Sequence, residues 1–241
     1  QVHQLQLYKR QKFEQNTFYV DPLQENSSEP DPESDPEPEW TLNDGSSRTL
    51  QMIVMDGAAL YDVKKSEYIK EYVISNNTSK ELVELMKVHD IHPYINVIID
   101  DTLLIYYEDT ADEANRSMLA KLRTSPFRNY IKREFPGDES VVYFMILDRC
   151  EKVDEFYELL SGLGYDKKLK ILKYPSDEYK GYSYIKIYNK NASKENMLLY
   201  FKENYDFKRI FTFGTIEGKY DVTIKEGDFN KMVRLVRRQY E

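Results

Sequence analysis

Gln51-Met52-Ile53-Val54-Met55-Asp56-Gly57-Ala58-Ala59-Leu60-Tyr61-Asp62 is the stretch that decides the fold. Residues 51 to 55 form a short apolar run without helical spacing. The run stops at Asp56-Gly57, so it reads as a strand ending in a turn. Far downstream, Ser193-Lys194-Glu195-Asn196-Met197 opens an amphipathic helix. Arg209-Ile210-Phe211-Thr212-Phe213-Gly214 then reads as a second strand ending in a turn residue.

Between these flanks the pattern alternates. Tyr68 to Ile74 predicts a strand. Thr78 to Val88 predicts a helix, with Leu82, Val83, Leu85 and Met86 on one face and Ser75, Asn76 or Asn77 as cap. Tyr94–Ile99 and Leu103–Tyr107 predict a hairpin around Asp100-Asp101-Thr102. A helix over 112–123, a strand over 141–147, a helix over 151–160 and strands over 169–174 and 181–188 follow. The flank adds a helix over 194–204, with Met197, Leu198, Tyr200 and Phe201 buried. Strands over 210–213 and 220–224 and a helix over 229–240 close the chain. The middle block therefore predicts a sheet with helices on one face, an α+β sandwich.

Composition bounds the rest. The 241 residues suffice for one large domain or two small ones. Mean hydropathy is −0.69, and no apolar run approaches the ~18 residues that span a bilayer, so the expectation is a soluble, cytoplasmic chain away from membranes. No signal peptide is visible, and a start at Gln1 predicts processing or a longer parent. A single cysteine, Cys150, excludes an internal disulfide framework and a Cys-rich zinc site. It reads as a spectator thiol near a strand end.

Of the net charge of −8, residues 25 to 39 carry −7, through Glu25, Glu29, Asp31, Glu33, Asp35, Glu37 and Glu39. This acidic Pro/Ser run has too little apolar area to offset its ordering entropy and predicts a solvated linker. The rest is nearly neutral, which argues against nucleic acid as a partner.

The order strand, turn, inserted block, Lys-bearing helix, strand and Gly resembles the haloacid dehalogenase-like (HAD) hydrolases of the Cof type, over roughly residues 50 to 241. The resemblance implies an α/β fold in which an inserted α+β sandwich cap, residues 63–188, interrupts a residual, incomplete doubly wound core, residues 50–62 and 189–241. Residues 1–49 precede both. It also implies phosphatase ancestry: an Asp nucleophile in Asp-x-Asp-x-Thr, Mg²⁺, a lysine that stabilises the transferring phosphoryl group, and a small phosphorylated metabolite as substrate.

Residue by residue, Lys194 aligns with that lysine; otherwise it is an exposed first-turn lysine. Thr215 stands where a metal-holding Asp is expected, and a hydroxyl is a poor ligand for a hard dication. Glu217 or Asp221 would have to compensate as metal ligands; otherwise they belong to an ordinary loop. The nucleophile motif is absent from the sequence. Phe18-Tyr19-Val20-Asp21 is the only N-terminal apolar run ending in Asp, and Asp56 replaces the usual Asn of the cap entry.

Tyr182, Tyr184, Lys186 and Tyr188 alternate with Ser183, Ile185 and Ile187 and so share one side of a strand. In the resembled family the cap sheet's open face covers the active site, so this row is a candidate ligand or partner face; otherwise it is a half-buried sheet face. His89, Asp90 and His92 form a candidate metal set or a plain helix terminus. Asp100 and Asp101 form a candidate carboxylate pair or ordinary turn residues. Two functions remain open: a HAD-like phosphatase of doubtful competence, and a non-catalytic module that binds a ligand or a protein on the same scaffold.

Overall fold

The computed structural model describes residues 17–20, 50–63, 65–108, 112–124, 128–205, 211–214 and 222–223. Its strands are β1 (Thr17–Val20), β2 (Leu50–Val54), β3 (Ala59–Asp62), β4 (Glu67–Glu71), β5 (Tyr94–Ile99), β6 (Thr102–Tyr107) and β7 (Asn129–Lys132). They continue with β8 (Val141–Arg149), β9 (Leu169–Pro175), β10 (Tyr182–Asn189), β11 (Phe211–Gly214) and β12 (Val222–Thr223). The helices are α1 (Asn76–Val88), α2 (Glu113–Leu122), α3 (Cys150–Gly162), α4 (Tyr165–Lys168) and α5 (Lys194–Asn204). The chain forms two compact units, Gln1–Ile69 with Lys194–Glu241, and Lys70–Ser193. Among the described residues no helix is long and apolar enough to cross a membrane. The helix expected over 229–240 lies outside the described residues.

The first unit carries a sheet of order β12-β11-β1-β2-β3-β4. β2 appears where the sequence predicts it, and Ile53 is fully buried. The exit segment Ala59–Asp62, expected as the entry into the inserted block, is itself a strand, pairing Ile53 with Leu60 and Val54 with Ala59. Between the two strands the backbone turns through three left-handed residues, Met55 (φ 53°), Asp56 (φ 54°) and Gly57 (φ 92°). Only glycine adopts that region freely; aspartate tolerates it, and methionine adopts it at a steric cost. Burial of Ala58, Ala59 and Leu60, each 0 % exposed, holds the turn in place.

β1 runs antiparallel to both of its neighbours. β2 and β11 are therefore parallel to each other across it. Val20 faces Leu50 and Phe211, the residues with which β2 and β11 begin. Asp21 itself lies outside the described residues.

The second unit holds the sheet β7-β6-β5-β8-β10-β9. Its element order follows the sequence expectation, with two additions. β7 (Asn-Tyr-Ile-Lys) carries no apolar periodicity, and α4 is a single turn launched by Gly164 at φ 78°. The strand expected over Tyr68–Ile74 stops at Glu71, and Ile74 makes only an isolated bridge to Val141. Ser75 caps α1, accepting from the Thr78 N–H. At the β5–β6 hairpin, Asp100 (φ 47°) and Asp101 (φ 56°) are both left-handed, the geometry of a two-residue type I′ turn.

α1 and α3 pack on one sheet face, where Leu82, Met86, Val153, Phe156 and Leu160 meet Ile95, Val97, Phe144, Ile146, Ile185 and Ile187. α2 departs from the expected single helical face. None of its residues joins that cluster, and its contacts run to Tyr94, Tyr182 and Tyr184 instead. A helical stripe tells that a helix is half-buried, but not which side of a two-sided sheet it covers.

Candidate functional site

Lys194 is the first residue of α5, half-buried, with Glu195 beside it in the first turn. Met197 and Phe201 bury the helix's inner face, while Leu198 and Tyr200 are half-buried. α5 packs against the left-handed Met55–Gly57 turn and against β2. Within the first unit the structure thus brings the lysine-bearing helix to the strained end of β2, where Asp56 sits half-buried. In open α/β sheets, ligands gather at the carboxyl ends of parallel strands. β1, antiparallel to β2, ends at the opposite end of the sheet. Glu217 and Asp221 lie outside the described residues. Among the described residues no three His, Cys, Asp or Glu side chains group as a metal site, so those residues do not form a cage for Mg²⁺.

A buried polar pair closes the other end of the β2–β3 hairpin. Asp62 accepts from the Gln51 side-chain amide at 3.1 Å and from the Lys65 backbone N–H at 2.9 Å. Both Gln51 and Asp62 are buried. Sequence reading passed over this pair because Gln51 looks like the edge of an apolar run. Its pairing partner Asp62 directly opposite is the signal.

The tyrosine row belongs to the second unit. Tyr182, Tyr184, Lys186 and Tyr188 stand on one side of β10, as alternation requires. They face Arg149, Leu147, Met145 and Tyr143 of β8 and, for the last three, Tyr174, Leu172 and Lys170 of β9. Tyr143 stacks on Tyr188 at 5.1 Å and Tyr174 on Tyr184 at 5.3 Å. Lys186 Nζ lies 5.5 Å from the Tyr174 ring centre, and Lys170 Nζ 5.2 Å from that of Tyr188. Most of this row is covered. Tyr182, Lys186 and Tyr188 are 7 %, 5 % and 1 % exposed, and only Tyr184 is half-buried. The rings stack on one another, and α2 lies against Tyr94, Tyr182 and Tyr184.

Sequence reading also missed the face's other members, Tyr94 and Asn96 of β5 and Tyr143 of β8. Their parity in flanking strands was legible, but not the register that lines them up. A bulge at Asn96/Val97 shifts the β5–β8 pairing. The Asn96 amide donates to the carbonyls of Tyr94 (3.1 Å) and Tyr143 (3.4 Å), and its own oxygen is buried with no hydrogen-bond partner among the described residues. Burial pushes the Tyr94 hydroxyl well above its ordinary value and Tyr130 up to about 12. Both hydroxyls stay protonated, and that of Tyr94 donates to Asn115.

Other candidates resolve into local structure. His92 meets Asp90 at 3.3 Å, and Asp90 also takes Lys152, which holds its carboxyl below the usual range. His89 lies against Phe156 instead. Cys150 opens α3 with its Sγ 3.1 Å from Ser183 Oγ.

A haloacid dehalogenase-like hydrolase family profile matches residues 41–215. No curated protein sequence matches at a comparable level. Similar solved structures include a haloacid dehalogenase-like hydrolase from Bacteroides thetaiotaomicron, at 18 % identity and TM-score 0.45, covering 62 % of this chain and 52 % of that one. A HAD subclass IIB sugar phosphatase has 15 % identity and TM-score 0.42, over 62 % and 52 %. A phosphatase of the same superfamily from Bacteroides thetaiotaomicron has 13 % identity and TM-score 0.42, over 65 % and 52 %. The chain thus spans about half the length of these structures. The profile match covers most of the described elements of both units, and on that ground the chain belongs to the haloacid dehalogenase-like hydrolase family.

Proposed function

We propose that this chain carries the scaffold of a phosphomonoester hydrolase for a small phosphorylated metabolite, in a cytoplasmic setting, with Lys194 as the phosphate contact. What supports this is the packing of α5 against the left-handed turn that ends β2. Lys194 opens the helix that packs against that turn. A helix amino terminus and an ammonium together favour a bound phosphate. Lys194 supplies charge stabilisation and no nucleophile. Mg²⁺ would neutralise phosphate charge in such a reaction, but the described residues do not fit it, and Glu217 and Asp221 are the side chains to test for it. The Tyr182–Tyr188 row is the second unit's candidate ligand face.

The second function class is a module that binds a ligand or protein without turning it over. β1 lies between β2 and β11 and runs antiparallel to both.

Hydrolysis of an aryl phosphate with Mg²⁺, with chelator, and by Lys194→Ala separates the two. Turnover that needs Mg²⁺ and drops at least ~100-fold in the variant supports the hydrolase. Absence of turnover above the Lys194→Ala background removes catalysis and leaves the binding module.

A further inference from the structure

α2 is held on the tyrosine face differently from the way α1 and α3 are held on the other. α1 and α3 bury Leu82, Met86, Val153, Phe156 and Leu160 in the main core. α2 buries Ala114, Asn115 and Met118, of which only Met118 is a large apolar residue, with Leu119 and Leu122 half-buried.

Its buried anchors are polar and gather toward its amino end, while an exposed Lys121–Glu178 ion pair at 2.8 Å ties the last turn. The Tyr182 hydroxyl donates to Asp112 Oδ1, and Asp112 Oδ2 caps the helix by accepting from the Asn115 N–H at 2.8 Å. Asn115 Nδ2 donates to the Leu147 carbonyl at 2.9 Å, and the Tyr94 hydroxyl donates to Asn115 Oδ1 at 3.4 Å. The Tyr184 hydroxyl reaches Met118 Sδ at 3.6 Å. Tyr94, Leu147, Tyr182 and Tyr184 belong to one corner of the sheet, where β5 and β10 begin and β8 ends.

We infer that α2 is a displaceable cover over this corner, opening as a unit while α1, α3 and the sheet stay folded. Of the groups that anchor it, the Tyr94 and Tyr182 hydroxyls become donors once released, and the Leu147 carbonyl an acceptor. The helix itself buries one large apolar side chain, fewer than α1 or α3, so its opening costs less than global unfolding. The Asp112–Tyr182 bond, which pairs a carboxylate with a hydroxyl, is the strongest single anchor. The inference stands whether or not the chain hydrolyses phosphate.

Hydrogen exchange of the full chain tests it. The amides of α2 are expected to exchange at least about tenfold faster than those of α1 and α3. Tyr182→Phe, which deletes one hydrogen bond to a charged group, is expected to speed α2 by a further roughly tenfold and leave α1 and α3 unchanged. Asn115→Ala removes the Leu147 and Tyr94 anchors and is expected to act in the same direction, so the test survives if one variant fails to fold. Equal exchange in all three helices of the wild type overturns the inference. So does a variant that speeds all three together.

Discussion

Asp101 shows most directly what a single residue does here. It sits exposed at φ 56° in a two-residue turn whose partner, Asp100, is also left-handed. Aspartate tolerates that region but glycine adopts it without a Cβ penalty, so Asp101→Gly is expected to raise stability by ~1 kcal/mol, measured as a higher Tm. Glu71 is tied to the same turn. Burial first, and the charge of Asp101 second, push its carboxyl above the usual range. A raised acid binds its proton more tightly folded than unfolded, so this group's contribution to stability falls as pH rises through the interval between the two values. Glu71→Gln is therefore expected to raise Tm at neutral pH, with a gain that shrinks as pH is lowered into the carboxylate range. In Asp101→Gly the same substitution is expected to gain less, because the two residues interact.

At the scale of elements, α1 is fixed by its core face. Leu82 is fully buried among the side chains of α3 and the sheet, so Leu82→Ala is expected to cost about 2–5 kcal/mol, read from denaturant unfolding. Strong periodic segments such as this helix, its Ser75 cap and the Asp-Asp hairpin were legible in the sequence, because each is specified by residues within one turn or one strand. β7 and α4 were not, since four residues carry too little pattern. Nor was the side taken by α2, which depends on hydrogen bonds from Asp112 and Asn115 to residues distant in sequence. Of the candidate site, the position of Lys194 and the parity of the tyrosine row were legible. The closing of that row by Tyr143 and Tyr174 required the register, and the direction of β1 contradicts nothing local, because antiparallel and parallel pairing read alike in one short strand.

For the molecule as a whole, the second unit is continuous from Lys70 to Ser193. Its ends lie close together: Asn189 Nδ2 donates to the Val73 carbonyl at 2.6 Å. A unit with its own core and adjacent termini is what tolerates excision. Residues 70–193 alone are expected to fold cooperatively, giving a single thermal transition by circular dichroism; a broad, non-cooperative melt would show that the first unit is needed.

The first unit has the opposite character. Its sheet would be two ribbons, β2-β3-β4 and β11-β12, were β1 not hydrogen-bonded to both. Four residues carry that junction, and they reach the nearer ribbon only through the chain between Val20 and Leu50. While that chain is intact, β1 rejoins the sheet at the high effective concentration of a tethered ligand. A single cut within it turns the same strand into a separate peptide whose binding follows mass action. The integrity of the first sheet would then depend on dilution, although no residue of the sheet had changed.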